Sequence, residues 1–431
     1  MQPEVARYDV VGVGLGPFNL GLAALLEPVS DISAVFFDRS EHFAWHPGLM
    51  LPETTLQVPF LADLVTMANP TSAYSFLNYL HEQERLYRFY FYEKFHIARR
   101  EYDAYARWVA DRLTSCKFQH EVTDVAPTAD GWTVAVAHHG ITHTVHAENV
   151  VLGVGSRPAV PSIAHHALGE DVFHSADYLT HREKAVTAGA VTVIGSGQSA
   201  GEVVVDLLET GLRNGMRLDW LTRGAGFLPM EYSKLGLEHF TRDYTDYFHH
   251  LEPAVRDRIR AGQDLLYKGL SADTSARIYD LLYDATIDAP DPPVTYAAGC
   301  ELIAIEPAPA PGRRWRLTWS HSEQGRTFTR DTDVVVLATG YEPAPLPIGD
   351  GIIASDAQGR PVISADYRAH RRDGAPSTLF VQNAELHTHG VGTPDLGLGA
   401  HRSSVIINAL AGREVYPVRA RNVFQRFGAP A

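Results

Sequence analysis

The chain has 431 residues, and its content of 45% hydrophobic and 20% charged residues predicts a globular protein with room for two or three domains. Its formal net charge of −14 argues against a nucleic-acid partner, because the sequence shows no basic face that could neutralise phosphates. The two cysteines, Cys116 and Cys300, exclude a disulfide framework and a C-x-x-C redox pair.

The sequence predicts neither a membrane segment nor a metal site. It has no run of about 18 apolar residues and no signal peptide at its N-terminus, so we expect a cytoplasmic protein. Among the 21 histidines are His387-x-His389 and the pairs His165-His166 and His249-His250. None of these has a carboxylate or cysteine partner at a known ligand spacing, and we expect them to be structural or loop residues.

The first informative motif is a glycine-rich turn, Gly12-Val13-Gly14-Leu15-Gly16-Pro17-Phe18-Asn19, which follows an apolar run at 8–11 and opens a helix-like stretch. Glycines let the backbone turn tightly beside a pyrophosphate, and the following helix supplies unpaired N–H groups. An ordinary strand-to-helix turn is the alternative for a single motif of this kind. The strand-like run 34–37 then leads into Asp38, an acid that can bind a ribose hydroxyl and would repel a 2′-phosphate. We therefore assign FAD or NAD to this turn.

A second glycine-rich turn, Gly195-Ser196-Gly197-Gln198-Ser199-Ala200-Gly201, follows the apolar run 191–194. The strand-like run 218–222 leads into Arg223, a base that could neutralise a 2′-phosphate. This pattern predicts an NADPH site. Arg223 and Asp38 could each instead be solvated strand ends, but two such turns in one chain indicate two dinucleotides.

The region between the two turns combines helices and strands. Apolar residues recur at helical spacing through 72–115, and strand-like runs occur at 132–137 and 150–155. The proline-containing segment 157–161 resembles a linker into the second nucleotide fold. These segments predict an α/β protein with two Rossmann-like dinucleotide-binding domains and a smaller helical part.

The C-terminal half predicts that one domain is inserted into the other. Strands near 294–305 and 315–319 are expected to complete the second fold, and the apolar strand 334–338 to lead back toward the first. We assign residues 1–160 and 330–431 to an FAD-binding domain, 161–250 and 290–329 to an NADPH-binding domain, and 251–289 to a helical substrate-binding segment.

Further short motifs accompany the glycine-rich turns in a fixed order over nearly the whole chain. They are Trp45-His46-Pro47-Gly48, Leu56-Gln57-Val58-Pro59-Phe60-Leu61, Asn69-Pro70-Thr71 with Tyr74-Ser75-Phe76-Leu77-Asn78-Tyr79-Leu80, Ala338-Thr339-Gly340-Tyr341 and Thr388-His389-Gly390. With these motifs the chain resembles the flavin-dependent N-hydroxylating monooxygenases of siderophore biosynthesis, such as the lysine and ornithine hydroxylases.

Two other flavoprotein families fit less well. Disulfide reductases share the paired nucleotide folds but need a redox cysteine pair, which this chain lacks. Baeyer–Villiger and related monooxygenases have F-x-G-x-x-x-H before the second fold. This chain has Phe173-His174-Ser175-Ala176-Asp177-Tyr178, a segment that looks like the amine hydroxylases.

The resemblance implies FAD and NADPH as cofactors and O₂ as co-substrate. NADPH would reduce the flavin, O₂ would be captured as a flavin hydroperoxide, and one oxygen atom would pass to a neutral amine. By resemblance, Trp45, His46 and Gln57 lie along the flavin ring, with Gln57 near the oxygen-activating face and Gln57 and His46 as the catalytic candidates. Ordinary packing is the alternative for Trp45.

The resemblance also assigns cofactor roles to later residues, and it implies a homo-oligomer, a dimer or a tetramer. Gln198 would lie at the nicotinamide nucleotide. The residues implied at the flavin site are Thr339, Gly340, Tyr341, Gly390, Asp395 and Leu396.

One departure from the family pattern concerns the substrate. The amino-acid hydroxylases have a lysine at the position of Ala62, and this lysine pairs with the substrate α-carboxylate. Burying a carboxylate without a cation is costly, so lysine and ornithine should bind poorly here. Leu237 and Gly397 also differ from the ornithine enzymes, which have asparagine and serine at these positions, and these differences likewise argue against an amino-acid substrate. Compensation by a nearby base such as Lys234 or Lys268 is the alternative.

We therefore expect an aliphatic diamine, cadaverine or putrescine, as the substrate, with lysine or ornithine as the alternative. The distal ammonium of a diamine would need an acid. A different class of function, an NADPH-oxidising flavoprotein or redox sensor without hydroxylation, also remains open at this point. The candidate acids are Glu231, Glu238, Asp273 and Asp395.

Overall fold

The computed structural model describes residues 5–288, 290–309, 312–376 and 378–429. The strands are β1 (Arg7–Val13), β2 (Ala34–Phe37), β3 (Cys116–Lys117), β4 (Glu121–Thr128), β5 (Gly131–His138), β6 (Ile141–Leu152), β7 (Ser156–Pro158), β8 (Val172–His174), β9 (Ala190–Ile194), β10 (Arg217–Leu221), β11 (Val294–Ala297), β12 (Cys300–Pro307), β13 (Trp315–His321), β14 (Arg326–Thr332), β15 (Val334–Leu337), β16 (Tyr341–Pro343) and β17 (Leu379–Val381).

The α-helices lie between and after these strands, and no helix in the described part of the chain is long and apolar enough to cross a membrane. They are α1 (Pro17–Leu26), α2 (Phe76–Glu82), α3 (Leu86–Tyr92), α4 (Arg99–Arg112), α5 (Tyr178–Thr187), α6 (Gln198–Thr210), α7 (Lys234–Leu237), α8 (Arg242–His249), α9 (Pro253–Ala261), α10 (Asp264–Tyr267), α11 (Ala272–Asp288), α12 (Leu386–His389) and α13 (Gly399–Ala411).

The first nucleotide fold is built on a sheet with the strand order β3-β2-β1-β6-β5-β4. Strands β1, β2, β3 and β17 run parallel to their neighbours, and β17 pairs with the C-terminal end of β6. The N-terminal part of β6 forms an antiparallel hairpin with β5 instead. Helix α1 begins directly after the first glycine-rich turn, and α13 packs against it. The two ends of the chain therefore contribute to one domain.

The second nucleotide fold is a parallel sheet with the order β11-β10-β9-β15-β8. Strand β15 lies inside the range 330–431 that we assign to the FAD-binding domain, yet it pairs with β9 on one side and β8 on the other. All four of its residues are buried, as expected for a central strand of a parallel sheet. The predicted boundary at residue 330 thus differs from the strand pairing, because the chain returns to the first domain only after β15.

We expected 294–305 and 315–319 to complete the second fold. This is wrong for β12 and β13, which form a separate antiparallel sheet with β14. Only β11 joins the parallel sheet. Strand β12 alternates between buried and exposed positions near its start, a pattern typical of a sheet with one solvated face. The predicted linker also contains a strand, since β7 pairs with β16 where the chain passes between the two domains.

The predicted helical segment 251–289 contains α9, α10 and α11. Helix α11 packs against α6, the helix that follows the second glycine-rich turn. A Cβ atom at Gly201 of α6 would lie 2.3 Å from the side chain of Leu270 and 3.0 Å from that of Thr274. Gly201 therefore allows the start of α11 to approach α6 closely.

A buried ion pair joins the two nucleotide folds. Arg99 at the start of α4 donates two hydrogen bonds to the Glu202 carboxylate on α6, at 2.9 and 2.6 Å, and a third to the Leu49 carbonyl at 3.0 Å. Both charged side chains are almost completely buried. The bidentate geometry fixes the orientation of α4 relative to α6.

We predict that Glu202→Ala lowers the free energy of unfolding by about 3–5 kcal/mol, because it leaves the Arg99 guanidinium buried without its partner. Thermal and urea unfolding of the purified protein measure this change. Asp331→Ala is the matched control, since Asp331 and Arg316 form an equally bidentate but more exposed pair and the loss should be much smaller. Equal effects of the two variants would contradict the prediction.

Candidate active site

The first glycine-rich turn leaves open space beside the N-terminus of α1. Gly14 has a φ of +85°, and a Cβ atom there would lie 2.6 Å from the Gly153 carbonyl oxygen. Gly16 precedes α1 with an extended backbone, and within the described part of the chain no side chain caps the helix and no atom lies within 4 Å of a Cβ built at Gly16. Unpaired N–H groups at a helix start, with room in front of them, fit a pyrophosphate.

Asp38 stands beside this turn. Its carboxylate accepts hydrogen bonds from the backbone N–H of Leu15 at 2.7 Å and of Ser40 at 2.8 Å. The side chain remains partly exposed at the carboxyl end of β2. Asp38 thus has the position required of a ribose-binding acid and also stabilises the turn itself.

Asn19 has a different role from the direct cofactor contact that we expect from the sequence. It is only 1% exposed, and its amide donates to the carbonyl oxygens of Val13 and Gly14. Its Oδ1 accepts a hydrogen bond from Gln382 at 2.7 Å. Because its polar side-chain atoms are hydrogen-bonded to protein groups, Asn19 stabilises the glycine-rich turn.

The second glycine-rich turn repeats this geometry. Gly195 has a φ of +131°, and a Cβ atom there would lie 2.1 Å from the Ala338 carbonyl oxygen. Gly197 precedes α6 in extended conformation, with no atom of the described residues within 4 Å of a Cβ built there. Ser199 follows in the first turn of α6 and is partly exposed. Beyond β10, Arg223 is exposed and has no hydrogen bond or ion pair to any described residue, so its charge is available to a phosphate.

Gln198 does not project freely toward this turn. Its Nε2 donates to Glu202 at 3.1 Å and to Thr274 at 2.9 Å, and its Oε1 accepts from the backbone N–H of Ser271 at 2.8 Å. The amide is thus used at both ends to connect α6 with the start of α11. The expected direct contact of Gln198 with a nicotinamide nucleotide would require these bonds to break.

Aromatic rings form a wall between the two nucleotide folds. The Trp45 ring meets the His46 ring edge-on at 5.0 Å, and His46 in turn meets Tyr341 at 5.6 Å. Solvent reaches the His46 ring although protein surrounds it on most sides, as in a cleft. Desolvation in this cleft, with the nearby charge of Arg99, lowers the pKa of His46 to about 4. His46 is therefore neutral at pH 7.

Thr339 and Gly340 belong to the crossing between the domains. The Thr339 hydroxyl donates to the Ala159 carbonyl at 2.7 Å, and Gly340 has a φ of +84°. The following Tyr341 hydroxyl is buried and has no hydrogen-bond partner among the described residues. Burial raises the pKa of Tyr341 to about 12. A buried hydroxyl without a hydrogen-bond partner, beside His46, indicates that a polar group of a bound molecule can pair with it.

The segment around Gly390 returns to the first fold. Gly390 has a φ of +76°, and a Cβ there would lie 3.2 Å from the Phe248 ring. Leu396 packs against the core that contains α1, and a Cβ at Gly399 would lie 3.2 Å from the Phe18 ring. Arg402, which the sequence analysis does not identify, is almost completely buried, with its guanidinium 4.5 Å from the Phe18 ring.

Gln57 and Tyr232 meet at the other side of the cleft. The Tyr232 hydroxyl donates to the Gln57 carbonyl oxygen, while the Gln57 amide has only a long hydrogen bond of 3.4 Å to Thr55. Desolvation raises the pKa of Tyr232 to about 12, and the charges of Asp395 and Asp273 contribute. Two of the four candidate acids therefore lie within electrostatic range of Tyr232. Tyr232 has no recognisable motif around it, so sequence reasoning misses it.

Ala62, Asp395 and Gly397 form one small cluster. A Cβ atom at Gly397 would lie 2.8 Å from the Asp395 Oδ1 atom and 3.9 Å from the Ala62 Cβ atom. Burial raises the pKa of Asp395 to about 6, although the backbone N–H groups of Gly397 and Leu398 act in the opposite direction. The carboxyl remains partly accessible.

The other candidate acids are engaged elsewhere. Glu238 accepts hydrogen bonds from the backbone N–H groups of Phe424 and Gln425 in the C-terminal segment. Glu231 accepts from the backbone N–H of Ser233 in its own loop. The expected substrate role of Glu238 therefore competes with the bonds that its carboxylate already makes to the C-terminal segment. Leu237, predicted at the substrate, is 39% exposed on α7.

The bases that could replace a lysine at position 62 are not gathered there. Lys268 pairs with Asp264 one helical turn away, at 2.8 Å. Lys234 is exposed at the start of α7. Neither forms an ion pair with Asp395 in the described part of the chain.

Comparisons with known proteins agree with this arrangement. Residues 6–343 match the protein family described as L-lysine 6-monooxygenase/L-ornithine 5-monooxygenase. The rhizobactin siderophore biosynthesis protein RhbE of Rhizobium meliloti is 46% identical, over 98% of this chain and 96% of that protein. A putrescine N-hydroxylase of Acinetobacter baumannii is 39% identical, over 97% of this chain and 93% of that protein.

A solved structure resembles the whole chain. The FAD-bound structure of DfoA, the cadaverine monooxygenase of desferrioxamine biosynthesis in Erwinia amylovora, has a TM-score of 0.93 at 39% identity and covers 99% of both chains. These matches confirm the predicted fold class and the predicted enzyme class, an N-monooxygenase that uses FAD and NADPH. The chain belongs to the L-lysine 6-monooxygenase/L-ornithine 5-monooxygenase family.

Proposed function

We propose that this enzyme N-hydroxylates one terminal amine of an aliphatic diamine, putrescine or cadaverine, for hydroxamate siderophore biosynthesis. The observation that carries the proposal is the cluster of Asp395, Gly397 and Ala62. It offers a carboxylate, and no cation, where an amino-acid substrate would bring its own carboxylate. A putrescine N-hydroxylase and a cadaverine monooxygenase among the similar proteins support the same substrate class.

The residues present fit both cofactors. The open helix starts at Gly16 and Gly197 would each hold a pyrophosphate, with Asp38 at the ribose of FAD and Arg223 at the 2′-phosphate of NADPH. Trp45, His46, Gln57, Thr339, Gly340, Tyr341, Gly390 and Leu396 are proposed to surround the flavin. When bound, FAD supplies the activation of O₂ and NADPH supplies the two electrons.

The balanced reaction consumes one amine, one O₂, one NADPH and one proton. One oxygen atom forms the new N–O bond, and the other leaves as water. The reacting nitrogen must be unprotonated, whereas an alkylamine in water has a pKa near ~10.4. Enclosure of the cleft disfavours the ammonium form at the reacting end.

The distal end of the diamine has the opposite requirement. The charged ammonium there would be held by Asp395, with Asp273 and the Tyr232 hydroxyl in the same neighbourhood. Opposite charge states at the two ends would orient the substrate without any covalent bond to the protein. Catalysis would thus depend on positioning.

Domain organisation and surroundings are part of the same proposal. The chain would bind FAD through residues 1–160 and the C-terminal part, NADPH through the inserted fold, and substrate partly through 251–289. The beginning of α11, where Asp273 lies, supports the last assignment. A homodimer or homotetramer in the cytoplasm, where NADPH is available, completes the proposal.

We predict that cadaverine and putrescine support hydroxylamine formation coupled to NADPH oxidation, whereas lysine and ornithine support little. Their α-carboxylate would lie beside Asp395 without a cation. Parallel assays of NADPH consumption and hydroxylamine with the four amines test this. Efficient hydroxylation of lysine or ornithine but of neither diamine would refute the proposed substrate class, and hydrogen peroxide as the sole product with every amine would favour the oxidase alternative.

We predict that Asp395→Asn raises the KM for the preferred diamine about 10- to 150-fold, the loss of a charge-assisted hydrogen bond of ~1.5–3 kcal/mol, and changes kcat less. In the wild-type enzyme, protonation of Asp395 below about pH 6 should also raise KM, because only the carboxylate attracts an ammonium. The asparagine variant should lose this acid limb.

Steady-state kinetics against pH measure both effects. Glu238→Gln is the matched control, since that carboxylate binds the C-terminal segment and its loss should leave the KM of the diamine unchanged. A KM that rises as much in Glu238→Gln as in Asp395→Asn would contradict the role of Asp395.

We predict that Ala62→Lys lowers kcat/KM for the diamine at least 10-fold more than Ala62→Met does, because the ammonium of the new side chain would pair with Asp395. Methionine provides similar length without charge and isolates the steric part. Kinetics of both variants with the preferred diamine test the prediction. Equal losses in the two variants would show that bulk, and not charge, matters at this position.

A further inference from the structure

Helix α3 presents an unusual amount of aromatic surface to solvent. Its sequence is Leu-Tyr-Arg-Phe-Tyr-Phe-Tyr, and none of its seven residues is buried. Tyr87 is 81% exposed, Tyr90 70% and Phe91 74%. Phe89 packs inward against Phe60 and Phe76, whereas Tyr87, Tyr90 and Phe91 project into solvent. Contiguous apolar patches of this kind mark interaction sites.

A groove accompanies these projecting rings. It has a volume of about 430 Å³ and lies between α2, α3 and the segment that follows α3. The groove and the exposed rings of Tyr87 and Phe91 occupy the same region of the surface, so this region carries both projections and a recess. The apolar residues that line the groove are Phe60, Leu77, Leu86, Phe89, Tyr90 and Phe95.

The charge of this region differs from that of the whole chain. Segment 81–95 contains three acids and three bases, whereas the chain has a formal net charge of −14. Two copies of an acidic protein repel each other least where their facing surfaces are neutral. The neutral segment 81–95 also offers no net attraction to anionic lipid or nucleic acid.

We propose that a second copy of this chain packs on this surface, with α3 against α3 of the partner around a twofold axis. Projecting rings such as Phe91 of one copy would enter the groove of the other, and the reciprocal contact follows by symmetry. The proposal does not depend on the amine substrate, and it specifies the interface of the expected oligomer.

The exposed area is large enough for such a contact. Five aromatic residues, Tyr87, Tyr90, Phe91, Tyr92 and Phe95, are each at least half exposed. At ~200 Å² per ring they expose roughly 650 Å². Leu77 and Leu86 add to this. A specific interface buries about 800 Å² on each partner, with aromatic residues enriched in its core.

The groove also touches the loop that leads to the substrate cluster. The backbone N–H of Phe60 donates to the Phe95 carbonyl at 2.9 Å, and Ala62 lies two residues further along the same loop. A partner bound in the groove would thus pack against the loop that contains Ala62.

The double variant Tyr87→Glu/Phe91→Glu tests the proposal, because two carboxylates cannot be buried in an apolar contact without a large cost. Light scattering of the FAD-loaded protein should give at least twice the monomer mass of 47.5 kDa for wild type, and half the wild-type mass for the variant. Ile141→Glu, at a residue that is 72% exposed in the β5–β6 hairpin, is the matched control and should keep the wild-type mass. A monomeric wild type, or a double variant with the wild-type mass, would overturn the proposal.

Cross-linking tests the same contact without disrupting it. Tyr90→Cys, treated with a bifunctional maleimide, should give a covalent dimer in much higher yield than either Ile141→Cys or wild type with its own Cys116 and Cys300. Equal yields would contradict the twofold contact. Sedimentation with phosphatidylcholine or phosphatidylglycerol vesicles tests whether a membrane binds this surface instead. Binding by wild type that the double variant loses would assign the surface to a membrane and overturn the proposal. Hydroxylation of any amine is not a readout in these experiments, so their outcome is separate from that of the proposed function.

Discussion

The buried pair of Arg99 and Glu202 is the constraint on which the active site depends. Glu202 lies one helical turn after the second glycine-rich turn, and Arg99 lies in the domain of the first. The same guanidinium holds the Leu49 carbonyl, three residues after His46, and its charge helps to lower the pKa of His46. Glu202 also binds Gln198, which in turn holds the start of α11. One desolvated charge pair thus connects α4 and Leu49 with α6 and, through Gln198, with the start of the helix that carries Asp273, and removing either partner would leave a buried charge uncompensated.

Burial acts in opposite directions on the pKa values of His46 and Asp395, the two ionisable groups in the proposed mechanism. Desolvation disfavours the charged form of either group, so it lowers the pKa of His46 to about 4 and raises that of Asp395 to about 6. The cleft therefore keeps His46 neutral and leaves Asp395 incompletely compensated until a cation arrives. A bound ammonium would stabilise the Asp395 carboxylate and be stabilised by it, which is the condition for selective binding of a diamine whose distal end is charged.

Features that depend on interactions between residues close in sequence could be predicted, whereas features that depend on contacts between distant segments could not. The glycine-rich turns were predictable because the local backbone needs glycine at positions 14 and 195. Gly14 and Gly195 each have a positive φ and lie beside a backbone carbonyl. Strand β15 is apolar throughout and would suit either parallel sheet, so its pairing with β9 could not be predicted from its own residues. The hydrogen bonds of Gln198 and Glu238 could not be predicted for a similar reason: their partners, Ser271 and Gln425, are remote in sequence. Tyr232 lies in a loop without any pattern, and only the folded chain brings it to Gln57.

Under the proposed function, substrate selectivity would be a pairwise property of Ala62 and Asp395. The resemblance implies a lysine at position 62 in the amino-acid hydroxylases, and its absence here would remove an attraction for an α-carboxylate, but that alone would create only a poorer amino-acid site. Asp395, close to the Ala62 side chain across Gly397, would add a repulsion against the same carboxylate and an attraction for an ammonium. Discrimination by both terms exceeds what either provides alone. Because the two residues come from segments more than 300 positions apart, the selectivity of this site depends on the return of the C-terminal segment to the first domain.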